Sequence, residues 1–270
     1  RRRHTRYISV TGVQTCALPI LRDSELYRRF AISPVDIYWG KAKVVYDPPA
    51  KFYENEKEQK ANLHHQLAPL VESANRELLF ISPYFVPGKK GVPYFTKKVE
   101  RGIRTVVLTN SLASSDVSTV FSGYEKYRKD LIRGGIELYE LKPIPSVPKK
   151  KRKGIVSIGS HSGLHGKTII IDRKTIFVGS MNLDRRSAVI NSEMGLVVDC
   201  PQMTADFTEQ FLDSLKEVAY KLVLNDKDEI EWQGYDNDDK LQVYKNEPET
   251  GNWQRFKAGF YFMFVPEELL

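Results

Sequence analysis

Between positions 165 and 193 the chain orders its reactive groups as His165-x-Lys167-x4-Asp172-x6-Gly179-Ser180-x-Asn182, with Glu193 following. An imidazole, an ammonium, a hydroxyl, a carboxamide and carboxylates are gathered there. Such a set suits attack on a phosphodiester, because the displacement spreads negative charge over equatorial oxygens that preorganised donors and a fixed cation stabilise. Lys167 supplies the cation, while Ser180 and Asn182 supply neutral donors. His165 can act as a nucleophile, giving a phosphohistidine, or as the acid that protonates the leaving oxygen. A carboxylate that fixes the imidazole tautomer serves either role, and Glu193 is the candidate.

These residues need strands to position them. Lys167–Asp172 and Thr175–Val178 are β-rich apolar runs separated by Asp172-Arg173-Lys174, a hairpin signature. Side chains alternate across a strand, so His165 and Lys167 leave one face and can converge on one bound group. Asp172 falls at the other end of that strand and is expected to support the turn. Glu193–Asp199 reads as the next strand.

Upstream, the pattern predicts a helix over 55–76, a buried strand over 77–82, a helix over 94–102 and a strand over 103–109. A helix capped by Asp116 and ending at Arg133 then leads to a strand over 136–141. This strand–helix alternation predicts a layered α/β sheet. Downstream, Phe207, Phe211, Leu215, Val218 and Leu222 recur at spacings of three and four, predicting a core-packed amphipathic helix over 204–224. The tail from Glu229, with Trp232, Trp253 and the aromatic run 260–265, is expected to cover a sheet edge.

At the reactive residues the chain resembles the phospholipase D superfamily, whose HxKx4D signature followed by GSxN it matches. The likeness extends to Ser82–Gly88, Leu108–Ser111, Asp116, Tyr124, Tyr127, Arg128, Glu137–Leu141 and Arg185–Ala188. Those segments are similar to the C-terminal half of bacterial cardiolipin synthase-like members, and the resemblance covers residues 21–270. It implies an α-β-α sandwich with a mixed sheet, one of two halves, and counts Asp172 with the catalytic residues. It also implies a metal-independent reaction without cofactor, in which a phosphatidyl group passes to a histidine and then to an alcohol or water. The expected partners are an anionic phospholipid and a membrane surface, at the cytoplasmic face of a bacterial inner membrane; nucleic acid is a less favoured partner.

Members of that family close one site from two HxKx4D motifs, and this chain carries one. None of His4, His64, His65 or His161 begins a second H-x-K pair. In-line displacement needs a separate acid opposite the nucleophile, so a lone copy is expected to be nearly inert and to need an N-terminal half in cis. A two-fold dimer that juxtaposes two copies of His165 would instead make a single-motif nuclease. A fragment without turnover would be a lipid-binding module.

Residues 10–20 are similar to the translation of a sequencing adapter, so 1–20 is expected to be non-native, with 21–52 a connector, 53–225 the catalytic domain and 226–270 an extension. Without residues 1–20, which hold four Arg and no acid, the formal charge of +7 becomes +7 − 4 = +3. The run Lys149–Lys153 can meet an acidic lipid surface, at about 1 kcal/mol per basic residue, or stand as a solvated loop. Two cysteines, Cys16 and Cys200, make no disulfide framework, and no spacing suggests a metal. Tyr84 and Phe85, at a strand end, are candidates to pack on acyl or glycerol carbons or to enter the core. Thr109, Asn110 and Ser111 are candidate neighbours of the head group.

Overall fold

The computed structural model describes residues 38–256 apart from 54, 56–58, 116, 144–162 and 237. The expected non-native segment 1–20, the Asp116 cap, the basic run 149–153 and the aromatic run 260–265 lie outside the described residues. From Gly40 onward the chain forms one compact unit.

Ten strands form one mixed sheet: β1 (Lys41–Tyr46), β2 (Glu77–Ile81), β3 (Arg104–Asn110), β4 (Glu137–Leu141), β5 (Thr168–Ile171), β6 (Thr175–Gly179), β7 (Met194–Asp199), β8 (Ala219–Leu224), β9 (Ile230–Tyr235) and β10 (Leu241–Tyr244). Their order is β1-β7-β6-β5-β2-β3-β4-β8-β9-β10. The two pairings β2–β3 and β3–β4 are parallel and the others antiparallel. The helices are α1 (Leu63–Glu72), α2 (Gly88–Glu100), α3 (Ser118–Glu125), α4 (Arg128–Arg133), α5 (Arg185–Val189) and α6 (Pro201–Val218).

Both faces of the central strands are covered, which is why β2 is buried throughout instead of alternating. Leu78, Phe80, Val107, Ile169 and Phe177 pack with Leu63, Leu67, Phe95, Phe121 and Leu131 from the first four helices. Leu79, Ile81, Val106, Leu108, Ile170 and Ile176 pack on Phe211 and Leu215 of α6. This is the expected α-β-α layering.

Several expectations shift: the helix expected over 55–76 is Leu63–Glu72, that over 94–102 is Gly88–Glu100, and the one ending at Arg133 divides into α3 and α4. Within the stretch expected to be a connector, residues 41–46 form edge strand β1, paired in register with β7 from Lys41↔Asp199 to Tyr46↔Met194. The amphipathic pattern over 204–224 runs past the helix, which ends at Val218. Residues 219–224 become β8 because pairing with β4 and β9 overrides the helical period. The tail meets the sheet edge by extending it, as β9 and β10, and buries Trp232.

The β5–β6 hairpin turns as its sequence suggests. Asp172 and Arg173 adopt positive φ, 53° and 56°, and Lys174 N donates to Ile171 O at 3.0 Å. The Asp172 carboxylate accepts the backbone N–H groups of Asn75 (3.0 Å), Arg76 (2.8 Å) and Glu77 (2.9 Å), tying the hairpin to the start of β2. Desolvation opposes its charge, but those three donors prevail and hold its carboxyl below the usual range.

Candidate active site

The site lies where the chain enters β5 and leaves β6. Ahead of β5, Asn110 at the end of β3 grips the backbone: Leu164 N donates to Asn110 Oδ1 at 2.9 Å, and Asn110 Nδ2 donates to Leu164 O at 3.4 Å. A Cβ on Gly163 would sit 2.4 Å from Ser114 O, so only glycine allows this approach. The residue before His165 is thereby fixed by a buried carboxamide.

Lys167 is 9% exposed, whereas His165 is open to solvent. The Lys167 ammonium lies 3.4 Å from His165 Nδ1 and donates to His165 O at 2.8 Å. The imidazole and the ammonium lie together, but both residues precede β5, so a side-chain bond to backbone and not strand alternation brings them there.

On the adjoining strand, Gly179 N donates to Lys167 O at 3.1 Å, which joins the two halves of the motif. A Cβ at Gly179 would meet Met194 O at 2.5 Å, so β6 and β7 can close only around glycine. Ser180 follows, with its N donating to Met194 O at 2.9 Å, its Oγ accepting from Met194 N at 3.1 Å, and its hydroxyl donating to the Glu193 carboxylate. Asn182 comes next. Its Oδ1 is buried without a hydrogen-bond partner, and the neighbouring Leu183 is clamped to the loop after β2 by Leu183 N→Tyr84 O (3.1 Å) and Val86 N→Leu183 O (2.8 Å). Asp184 caps α5 by accepting from Ser187 N at 2.6 Å, and burial pushes its carboxyl up.

The structure therefore pairs His165 with Lys167 and Ser180 with Glu193. Glu193 does not bond the imidazole. It precedes β7, with β6 lying between that strand and β5, and its carboxylate is engaged by Ser180. Asp172 belongs to the opposite end of β5, about 16 Å from Lys167 at 3.3 Å per residue, and acts there on backbone.

The substrate-side candidates also move. Phe85 is 1% exposed, with its ring 5.8 Å from that of Phe95 and 6.3 Å from that of Tyr124, so it is a core residue. Tyr84 is half-buried and its carbonyl is used by Leu183. Thr109, Asn110 and Ser111 are buried and directed at protein: Thr109 Oγ1 donates to Pro83 O (3.3 Å), Asn110 holds Leu164, and Ser111 meets Ser114. They brace the loops beneath the site and leave no face for a head group.

Two supporting residues lie in the stretch read as a connector. Asp47 exchanges backbone with Glu193 (Asp47 N→Glu193 O, 2.8 Å), and its Oδ2 accepts Glu193 N at 2.8 Å and Lys51 Nζ at 2.7 Å. Its Oδ1 accepts Leu63 N at 2.7 Å at the start of α1, while Lys51 Nζ also donates to Ser187 O at 3.0 Å. This buried ion pair sets the backbone that carries Glu193. Its only trace in the sequence is an Asp–Lys spacing of four beside Pro48-Pro49, a common surface pattern. Among the described residues no group of His, Cys, Asp or Glu is arranged to hold a metal, and no helix is long and apolar enough to cross a membrane.

Comparison with known proteins bears on the family and the fold. The family model "Cardiolipin synthase, PLD-like domain" matches residues 67–216. Cardiolipin synthase C of Escherichia coli K12 is 36% identical over 235 residues, covering 87% of this chain and 49% of that protein. Cardiolipin synthase A of Buchnera aphidicola (Schizaphis graminum strain) is 28% identical over 141 residues, 51% of this chain and 24% of that protein. The chain thus spans about half the length, or less, of these relatives. Phosphatidylserine synthase of Haemophilus influenzae superposes with a TM-score of 0.52 at 12% identity, over 86% of this chain and 48% of that one, a likeness of fold.

Proposed function

The chain belongs to the cardiolipin synthase PLD-like domains of the phospholipase D superfamily, and from that premise we propose that it supplies one half-site for phosphatidyl transfer, or phosphodiester hydrolysis, on phospholipids. The observation that carries the reading is the buried Lys167 ammonium at 3.4 Å from the exposed imidazole of His165. A phosphate held there would present its oxygens to a fixed cation while an imidazole faces phosphorus.

Lys167 binds the phosphate with the Asn182 Nδ2 donors, and with the Ser180 hydroxyl when it turns from the Glu193 carboxylate to which it donates in the free chain. Glu193 and the Asp47–Lys51 pair hold Ser180 in place. In the first step an imidazole nitrogen forms a bond to phosphorus as the bond to the leaving alkoxide breaks, and a second imidazole gives that oxygen its proton. In the return step an alcohol or water gives its proton to that second imidazole as its oxygen bonds to phosphorus and the P–N bond of the phosphohistidine breaks, freeing the first imidazole. One imidazole comes from His165 and the other from a second half bearing its own HxKx4D motif. The substrate brings the machinery to a membrane surface.

The test is reconstitution of this chain with such a half and labelled phosphatidylglycerol. Cardiolipin or phosphatidic acid should form, and His165→Ala should lower the rate by roughly three orders of magnitude or more. Full activity in that variant overturns the reading. Acid quenching decides the role: phosphate trapped on His165 marks it as nucleophile, and phosphate trapped on the other half marks it as acid. Salt-sensitive DNA cleavage by a dimer of this chain, with no lipid turnover, would replace the lipid reading with the single-motif nuclease.

A further inference from the structure

Exposed charge is divided unequally between the two ends of the sheet. At the end away from the site, the β8–β9 turn exposes Asp226, Asp228 and Glu229 beside Lys227. At the site end, the loops after β2 and β6 expose Lys89, Lys90, Arg185 and Arg186. They expose no carboxylate, because the two acids within 82–90 and 180–194, Asp184 and Glu193, are 8% and 6% exposed. The loops are also bound to each other: Leu183 N donates to Ser82 Oγ at 3.3 Å as well as to Tyr84 O, and Leu183 forms a parallel bridge with Phe85. Cations from both are thereby held around the mouth of the site.

Stability does not explain that placement. Lys89 and Lys90 stand in the first turn of α2, a helix of 13 residues with no acid there, and Arg185 and Arg186 take the same positions in α5, also without an acid. Cations are disfavoured at the N-terminal end of a helix, where backbone N–H groups already present positive charge. Gathered on one end of the molecule, they give it a field that attracts an extended anionic surface.

The same rim carries apolar side chains. Met194 is 58% exposed and Tyr46, its register partner on β1, 57%. Ser180 N donates to Met194 O, so this pair borders the hydroxyl of the site. Ile190, at the end of α5, is 48% exposed. Aliphatic and aromatic groups flanked by cations match the boundary between head groups and acyl chains, whereas the phosphates of a nucleic acid give the aliphatic ones nothing to bury against. We propose that this end of the sheet docks on an anionic phospholipid bilayer, with Lys89, Lys90 and Arg186 among the head groups and Tyr46, Ile190 and Met194 entering the interface. The inference rests on the lipid reading above and adds to it the surface by which the chain meets its substrate.

The full chain should sediment with vesicles of phosphatidylglycerol and phosphatidylcholine in equal parts, and about tenfold less or worse with phosphatidylcholine alone. Lys89→Gln together with Lys90→Gln, in a variant folded by circular dichroism, should weaken partition roughly thirtyfold, the factor for two basic residues near an acidic lipid surface. Orientation is read from a dye on Ile190→Cys or on Lys227→Cys, each with Cys16→Ser, since Cys200 is buried. Lipids brominated along the acyl chain should quench the first dye and leave the second unchanged. His165→Ala should bind like the parent, so a failure of docking and a failure of the chemistry are read separately. No partition, equal partition onto neutral vesicles, full binding by the folded double variant, or quenching confined to Lys227→Cys overturns the proposal. So does tighter binding of duplex DNA through the same lysines. So, too, does vesicle binding by the reconstituted two-half assembly with the Ile190→Cys dye unquenched, since a protein surface would then cover this end.

Discussion

The two ends of the β5–β6 hairpin are each held by one aspartate, and the two work differently. At the turn end, Asp172 takes three backbone N–H groups near the surface and answers to no cation at hydrogen-bond distance. At the site end, Asp47 is enclosed with Lys51, and the pair reaches Glu193, α1 and α5 together. The turn end only has to keep its shape. The site end has to place a serine and a carboxylate against solvent-exposed groups, and a buried charge pair can do that only while both members are present.

The largest effect that would break this contrast comes from Asp47. Asp47→Asn leaves the Lys51 ammonium enclosed without its counter-ion and should lower stability by about 3–5 kcal/mol, read as a fall in the urea midpoint at unchanged m-value. The double variant Asp47→Asn with Lys51→Met should recover most of that loss. A double variant as unstable as the single one would show that the pair's charge is not what holds the site end.

Next in size is Asp172→Asn, which weakens charge-assisted bonds to three backbone donors and should cost about 1–3 kcal/mol. The pH dependence has a definite sign. The folded-state pKa of Asp172 is lowered, so its contribution is complete above its unfolded value of about 3.9 and disappears as pH falls through the lower folded value. The wild-type protein should therefore lose its advantage over Asp172→Asn below about pH 4. Midpoints that stay equally far apart down to pH 2 would refute the account. The smallest effect belongs to Ser180→Ala, about 1 kcal/mol of stability, because the exposed hydroxyl gives up bonds to Glu193 and Met194 that water can partly replace. Its loss in the reconstituted reaction should exceed its loss in stability.

How much of this could be read in advance follows the range of the interaction. The strands β2 to β7 follow from local alternation and turn chemistry and are legible in the sequence, whereas the approach of Lys167 to His165 rests on a bond to backbone ahead of β5. Asp172's place at the turn follows from the same counting. Glu193 is different: the sequence reads it as opening the next strand, but it stands just ahead of β7, and its partner depends on the register of β6 against β7, which puts Ser180 within its reach. Phe85, Thr109 and Asn110 sit at strand ends, where sequence cannot tell a lining from a brace, because that depends on which loops close over them. Asp47 and Lys51 were hidden more deeply. A charged pair beside two prolines has the look of surface, and only the return of β1 alongside β7 takes it inside. The switch at Val218 from helix to strand likewise answers to β4 and β9, not to the local period.

The sheet is open at both ends, terminating among the described residues in β1 and β10. Such margins offer a row of amides and carbonyls to which a neighbouring molecule could add a strand of its own. On β1 that invitation is blunted by Lys41 and Lys43, both exposed, whose like charges repel an incoming identical copy. On β10 the exposed Leu241, Val243 and Tyr244 carry no charge within the strand, so among the described residues the protection of that border rests on Lys240 and Lys245 at its two ends.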